Sequence, residues 1–373
     1  RPVRRLRRGG GRARGQLEHQ QEQGHEPAHD VSVVWAVRRL RLMLMVSALV
    51  VAGGLAGPSA ARALDASRLG VVVNTADPAS VEIGDYYVRR RGIPRANVVF
   101  VTLPAQGEID RPTFEAARAR VEAALPSGVQ ALALAWTRPY RVACMSVTTA
   151  FAFGFDPAFC AEGCRRTRPS PYFDSPSAVP FHDLHVRPAM LLAGSSVAHA
   201  KATIDRGVAA DGTFPPGTAY LLSTSDRARN ARASRYGQVT ALSLPIRVRR
   251  VDADELRDVR DVLFYFTGLK SVAGLETLRF RPGAIADHLT STGGVLDGAD
   301  QMSALRWLDA GATASYGAVI EPCNFAAKFP QPAVVIARYT HGESLIEAYW
   351  KSVAWPGQGV FVGEPLAAPF RRR

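Results

Sequence analysis

His288 and Cys323 stand 35 residues apart, each at the end of a short apolar run, with Asp287 beside the histidine and Glu321 two residues before the cysteine. A cysteine attacks as its thiolate, and a nearby imidazole can keep it so, with a carboxylate orienting the ring. Two strand ends joined by one helix would bring such a pair to the carboxyl edge of an α/β sheet, where sites in these folds gather. The dyad expected from the sequence is therefore His288 and Cys323, with Asp287 or Glu321 as orienting carboxylate. The structural alternative puts Cys323 in a disulfide and His288 in a hydrogen-bonded turn, and the two readings exclude each other.

The remaining cysteines are Cys144, Cys160 and Cys164. Cys160 and Cys164 form a C-x-x-x-C in a Pro-rich stretch, for which a disulfide is the expected state in an exported protein. That leaves Cys144 and Cys323 as a possible second bridge. The spacing matches neither a C-x-x-C redox motif nor a C-x-x-C-H haem site. His182, Asp183 and His185 offer three ligand-type side chains in four residues, to which Asp211 or Asp226 could add a fourth. In an exposed loop such residues more often form turns, so no metal and no cofactor is expected. Arg187, Asp205, Arg206, Asp211, Asp226 and Arg227 recur at loop junctions, where Asp–Arg pairing that pins loops to the sheet is expected. Glu343, Glu347 and Lys351 share one helix face, and Glu347–Lys351 reads as a solvated i,i+4 pair.

The elements that must position these groups follow a β/α rhythm. Leu69–Val73 is a predicted strand, Pro78–Arg91 a helix with Asp77 as N-cap and Pro78 in its first turn, and Gly92-Ile93-Pro94 its stop. Asn97–Leu103, then a helix over Pro112–Leu125, then Val129–Trp136 continue the pattern. Near-continuous apolar strands alternating with helices predict an α/β fold with a mostly parallel sheet covered on both faces. From 137 to 190 the rhythm fails in favour of seven prolines and three cysteines, which predicts an irregular insert, an ordered and cross-linked loop region near the mouth of the sheet. It resumes with a helix over Ser196–Arg206 and strands at Thr218–Thr224, Val262–Thr267 and Ala284–His288. A helix over Gln301–Ala310, a strand over Thr313–Ile320 and a last helix over Gly342–Val353 complete it. The tail to Pro369 reads as Gly- and Pro-rich loop. Neither a dinucleotide nor a P-loop fingerprint occurs.

Charge decides against nucleic acid. The chain is 373 residues long with a formal charge of +13, but residues 1–63 carry 11 arginines against Glu18, Glu22, Glu26 and Asp30, so +7 of it lies there. Residues 1–37 read as an extension, disordered or outside the natural frame. Residues 38–63 read as a signal peptide: Arg38-Arg39-Leu40-Arg41, an apolar run from Leu42 to Leu55, and an A-x-A site at Ala61-Arg62-Ala63. The apolar run is short of the ~20 residues of a spanning helix. Export to the periplasm or beyond is expected, with cleavage near Ala63, one α/β domain over 64–373 and no membrane span thereafter.

The stretches VVVNTADPASVEIGDYYVRRRGIPRANVV (Val71–Val99), LLSTSDRARNAR (Leu221–Arg232), QMSALRWLDAGATASYGAVIEPCNFAAKFP (Gln301–Pro330) and LIEAYWKSVAWPGQGVFVGEPLA (Leu345–Ala367) resemble a family of exported bacterial proteins. That family is found in genomes that carry the exosortase protein-sorting system. The resemblance covers Val71 to about Ala367 and implies a place in that surface system without naming a reaction. At the level of fold, DVLFYFTGLKSV (Asp261–Val272), GAIADHLTSTGG (Gly283–Gly294) and GATASYGAV (Gly311–Val319) are similar to gingipain-like and caspase-like cysteine peptidases. There one strand ends in His-Gly and the next in Cys. Here Gly268 stands at the histidine's place and Asp287-His288 at the cysteine's, so a peptidase site would have to be rewired as His288 and Cys323. Two functions follow as expectations: a cysteine-peptidase-like hydrolase, or a non-catalytic binding or accessory protein for a cell-surface protein or polysaccharide.

Overall fold

The computed structural model describes residues 64–161, 164–298 and 300–372. The signal peptide expected over 38–63 and the extension over 1–37 lie outside the described residues.

The apolar runs become strands because both faces of their sheet are covered. Every residue of β1 (Leu69–Asn74) is buried. Ahead of α1 (Pro78–Arg91), Asp77 accepts the amide hydrogen of Ala79 at 3.0 Å, and Gly92 ends the helix in the left-handed region at φ 63°. Arg89, Arg90 and Arg91 fill its last turn, the favourable end for cations. β2 (Val98–Val101), β3 (Glu108–Ile109), α2 (Arg111–Ala124) and β4 (Ala131–Leu134) follow.

The stretch expected to be an ordered, cross-linked loop region carries short regular elements of its own. It contains β5 (Arg141–Val142), β6 (Met145–Ser146), α3 (Val147–Phe153) and α4 (Pro180–Leu184), and ends in β7 (Ala189–Leu191). β3, β5 and β6 form a small separate sheet. Arg187 is buried and ties the insert back to α2 through Glu122 and to the approach to β4 through the carbonyl of Val129.

The second half supplies α5 (Val197–Ala210), β8 (Thr218–Ser223), α6 (Tyr236–Thr240), β9 (Arg247–Asp252), β10 (Val262–Thr267), β11 (Phe280–His288), α7 (Leu305–Asp309), β12 (Ala314–Ala318), α8 (Pro332–Thr340), α9 (Leu345–Lys351) and β13 (Gly359–Gly363). The main sheet has ten strands in the order β2-β1-β4-β7-β13-β12-β11-β10-β8-β9. β2-β1-β4-β7 and β12-β11-β10-β8-β9 are parallel blocks. Between them β13 runs antiparallel to β12, from Ala314↔Gly363 to Ala318↔Gly359, and meets β7 at Val362↔Leu191. The expected α/β architecture with a mostly parallel sheet is what the chain adopts.

Both cysteine pairings differ from expectation. Cys144 bonds to Cys160 and Cys164 bonds to Cys323. Cys144 and Cys160 pack against the same apolar cluster, around Leu134, Met145 and Phe159, whereas Cys164 meets the loop after β12. Three residues of separation in sequence therefore put the two sulfurs of Cys160 and Cys164 in different surroundings.

The face carrying Glu343, Glu347 and Lys351 is also not the solvated one expected. Glu347 and Lys351 are buried, Lys351 Nζ reaches Glu343 at 2.9 Å, and Glu347 closes a capping box with Ser344.

Candidate functional site

Asp287 and His288 end β11, but both are wholly buried and engaged. Asp287 Oδ1 lies 2.5 Å from Arg232 Nη1, and Oδ2 accepts the Tyr349 hydroxyl at 2.9 Å. Burial pushes the Asp287 carboxyl above the usual range, and Arg232 and Tyr349 pull it back. Arg232 also donates to the carbonyls of Thr267 and Pro330, so this pair fastens the segment after β8 onto the ends of β10 and β11.

The Trp307 indole, a donor only, gives its hydrogen to His288 Nδ1 at 2.9 Å. The ring proton therefore sits on Nε2 and goes to the Met302 carbonyl at 3.0 Å. Burial drives the imidazole pKa down to about 3. No nitrogen of His288 is left for a substrate. Cys323 carries no thiol, being bonded to Cys164, and its backbone amide donates to Glu321 Oε1 at 2.6 Å on an exposed turn. The dyad expected of His288 and Cys323, with Asp287 or Glu321 behind it, is thus corrected: one partner is cross-linked and the other is saturated with hydrogen bonds.

Gly268, which stands where the peptidase pattern wants histidine, has no room for any side chain. A Cβ there would lie 2.0 Å from the Arg229 carbonyl oxygen.

His182 and Asp183 are paired at 2.9 Å on the surface, and His185 is the left-handed cap of α4. The carboxylates suggested as further ligands are elsewhere: Asp211 faces Arg91, and Asp226 pairs with Arg229 at 2.8 Å. Among the described residues no group of three His, Cys, Asp or Glu is arranged to hold a metal ion.

The segments that follow β1, β4, β7, β8, β10 and β11 line one cleft of about 1090 Å³. This is the location at which open α/β sheets bind ligands. Its wall carries Asp77, Arg138, Asp226, Lys270, Asp297, Asp300, Arg306 and Asp309. Several are paired across the opening: Arg138 with Asp297 at 3.4 Å, Lys270 with Asp300 at 2.9 Å. Arg306 is exposed.

One cluster at the rim has acid–base character. β7 turns directly into α5 through Gly194, where a Cβ would meet Ala200 N at 2.5 Å and Ser196 O at 2.8 Å. Thr137 clamps that turn by bonding both the amide and the carbonyl of Gly194. The result is Ser195 at the cleft wall and Ser196 as N-cap, accepting from His199 N. Arg206, further along α5, donates to the carbonyls of Leu308 and Ala312 at 2.9 Å each. That ties the end of α7 to the later turns of α5, while Asp309 meets His199 in the first.

Asp309 Oδ1 accepts from Ser195 Oγ at 2.8 Å and lies 2.9 Å from His199 Nδ1, while Ser195 Oγ also contacts Nδ1. The carboxylate makes Nδ1 the protonated nitrogen, and Nε2 makes no hydrogen bond among the described residues. An imidazole fixed in this tautomer presents a lone pair at Nε2, the group a general base needs. Ser195, His199 and Asp309 are not among the residues expected from the sequence to do chemistry. Their signal was present in G-S-S-V-A-H, a strand-to-helix turn with a histidine one turn into the helix.

No family model matches the chain, and no curated protein matches it. Among solved structures it is similar to a chain described as "Structure of Protease", at 10% identity and a TM-score of 0.42, over 82% of this chain and 79% of that one.

Proposed function

We propose that this protein is a hydrolase working in the carboxyl-edge cleft, with His199 as general base. Asp309 fixes the ring tautomer and stabilises the imidazolium that forms when Nε2 takes a proton from water or a substrate hydroxyl. Ser195 Oγ holds the carboxylate in place. The observation that supports this is the Ser195–His199–Asp309 contact set, in which Ser195 and Asp309 line the cleft and Nε2 of His199 is unengaged. The mixed-charge wall suits a polar, extended substrate, such as the peptide or polysaccharide chains that an exported protein meets at a cell surface. Cys323 has no part in this chemistry.

A specific feature favours a second reading. Ser195 Oγ and Asp309 Oδ1 meet the same nitrogen of His199, so the serine is not on the nitrogen that would activate it as a nucleophile. A cleft that binds a surface protein or polysaccharide without cleaving it would show the same geometry. A place beside the exosortase system fits either reading.

The test is a panel of chromogenic esters, peptide amides and glycosides, with surface polymers as ligands. Turnover that His199→Ala lowers by about 10²–10⁴ supports the hydrolase. Polymer binding with no turnover above buffer for any substrate would replace it with the binding protein.

A further inference from the structure

We infer that the working N-terminus of this protein is the free α-ammonium of Leu64, formed by cleavage of the Ala63–Leu64 bond and locked into the fold by Glu347. The inference does not depend on the proposed catalysis.

Leu64 sits in a socket of its own. Its side chain is 1% exposed and packs in the main apolar cluster. Its carbonyl accepts from Arg371 Nη1 at 2.9 Å. Its backbone nitrogen lies 3.1 Å from Glu347 Oε2, across 283 positions of sequence. That oxygen already accepts from Ser344 N at 2.9 Å and Ser344 Oγ at 2.6 Å, which completes the capping box. Glu347 is 3% exposed, and its ion pair with Arg371 Nη2 is a long one, at 3.8 Å.

A buried carboxylate needs compensating charge as well as hydrogen bonds. A peptide N–H supplies one neutral donor. An α-ammonium at the same position supplies three donors and a positive charge, and charge-assisted bonds of this kind are about twice as strong as neutral ones.

The sequence points to the same bond independently. Ala61-Arg62-Ala63 is an A-x-A cleavage pattern following a basic and an apolar segment, and it ends one residue before Leu64. Hydrolysis by a leader peptidase adds one water, leaving the carboxylate on Ala63 and the ammonium on Leu64. The new charge arises where the fold holds a buried carboxylate to receive it. Processing is then also a folding step, because only the cleaved chain pairs Glu347 fully.

The test uses the full chain with an initiator methionine, expressed in an exporting bacterial host. N-terminal peptide mass spectrometry should find Leu64 as the first residue of the exported protein. A Gly-Ser insertion between Ala63 and Leu64 then restores an amide at Leu64, and should lower the melting temperature by about 2–4 °C. In a Glu347→Gln background the same insertion should have no further effect, since the carboxylate that distinguishes ammonium from amide is gone. A first residue other than Leu64, or a chain exported uncleaved, overturns the inference. So does an insertion that leaves the melting temperature unchanged, or lowers it equally with and without Glu347.

Discussion

His288 closes β11 and His199 sits in the first turn of the helix that follows β7; both have a carboxylate close by, and they are opposite in kind. His288 is 0% exposed, with a donor on one nitrogen and an acceptor on the other. The His199 side chain is 53% exposed, with one nitrogen held by Asp309 and Ser195 and the other unengaged. A carboxylate neighbour is common to the two, so that neighbour alone does not make a site. What differs is whether the fold consumes all of the ring's hydrogen-bonding capacity. A ring fully satisfied inside the protein is a packing element, whereas a ring satisfied on one side is oriented for work on the other.

If that contrast holds, the largest stability losses come from the His288 region. Removing one member of the buried Arg232–Asp287 pair leaves the other charged and unpaired, a cost of about 3–5 kcal/mol. Urea denaturation of Arg232→Ala should show that loss as a shifted midpoint at unchanged slope. A loss under about 1 kcal/mol would mean the pair is not the fastening described.

The disulfides come next. The Cys164–Cys323 bridge closes a separation of 159 residues and Cys144–Cys160 one of 16, so in the chain-entropy view the first contributes more, both within about 2–5 kcal/mol. Denaturation of the Cys164→Ser/Cys323→Ser and Cys144→Ser/Cys160→Ser proteins measures the order. Alkylation of the native protein addresses the chemistry directly. No cysteine should be labelled before reduction, and a labelled Cys323 would show that the Cys164–Cys323 cross-link is not in place.

His288 itself gives a smaller, pH-dependent effect. Its pKa in the folded protein, about 3, lies below the ordinary 6.5, so the unfolded chain takes up the proton first. The neutral ring's contribution is complete above about pH 6.5 and is lost as pH falls towards about 3. His288→Asn should remove that limb from the stability–pH profile. At neutral pH it should cost about 1–3 kcal/mol for the groups left unpaired, Trp307 Nε1 and the Met302 carbonyl. An unchanged acid limb would show that His288 is not the buried neutral ring described.

How much of this was legible follows from which pattern each region carries. β1 and β10 are unbroken apolar runs, and their burial on both faces is what such runs mean. β9, RVRRVD, is an edge strand with Arg247, Arg249 and Arg250 exposed, so its sequence looks like a charged loop although charge is how an edge is protected. β13 hides inside WPGQGVFVGEP, where glycine reads as loop. At Gly359 a Cβ would come within 1.7 Å of the Tyr316 hydroxyl, so this glycine marks a strand passing closely under an aromatic side chain. Four cysteines allow three pairings, and the chosen one depends on which loops pack together. In the site, Asp287-His288 drew notice because polar residues follow an apolar run. His199 did not, because on a helix it resembles any exposed polar position until the end of α7 brings Asp309 to it.

The smallest stability changes belong to the cleft rim, and there the contrast is sharpest. His199→Ala and Ser195→Ala remove partly exposed side chains with no apolar packing to lose, so each should shift stability by no more than about 0.5 kcal/mol. Their effects on turnover should separate. His199 as general base is worth about 10²–10⁴ in rate. Ser195, if it only holds Asp309, accounts for one hydrogen bond and a loss of no more than about tenfold. Rates for the two variants on one cleaved substrate decide the mechanism. Equal, large losses would make Ser195 the nucleophile and imply that His199 turns its other nitrogen to it during catalysis. A large loss for His199 alone would leave water as the attacking group, with Ser195 serving as the brace that keeps Asp309 on Nδ1.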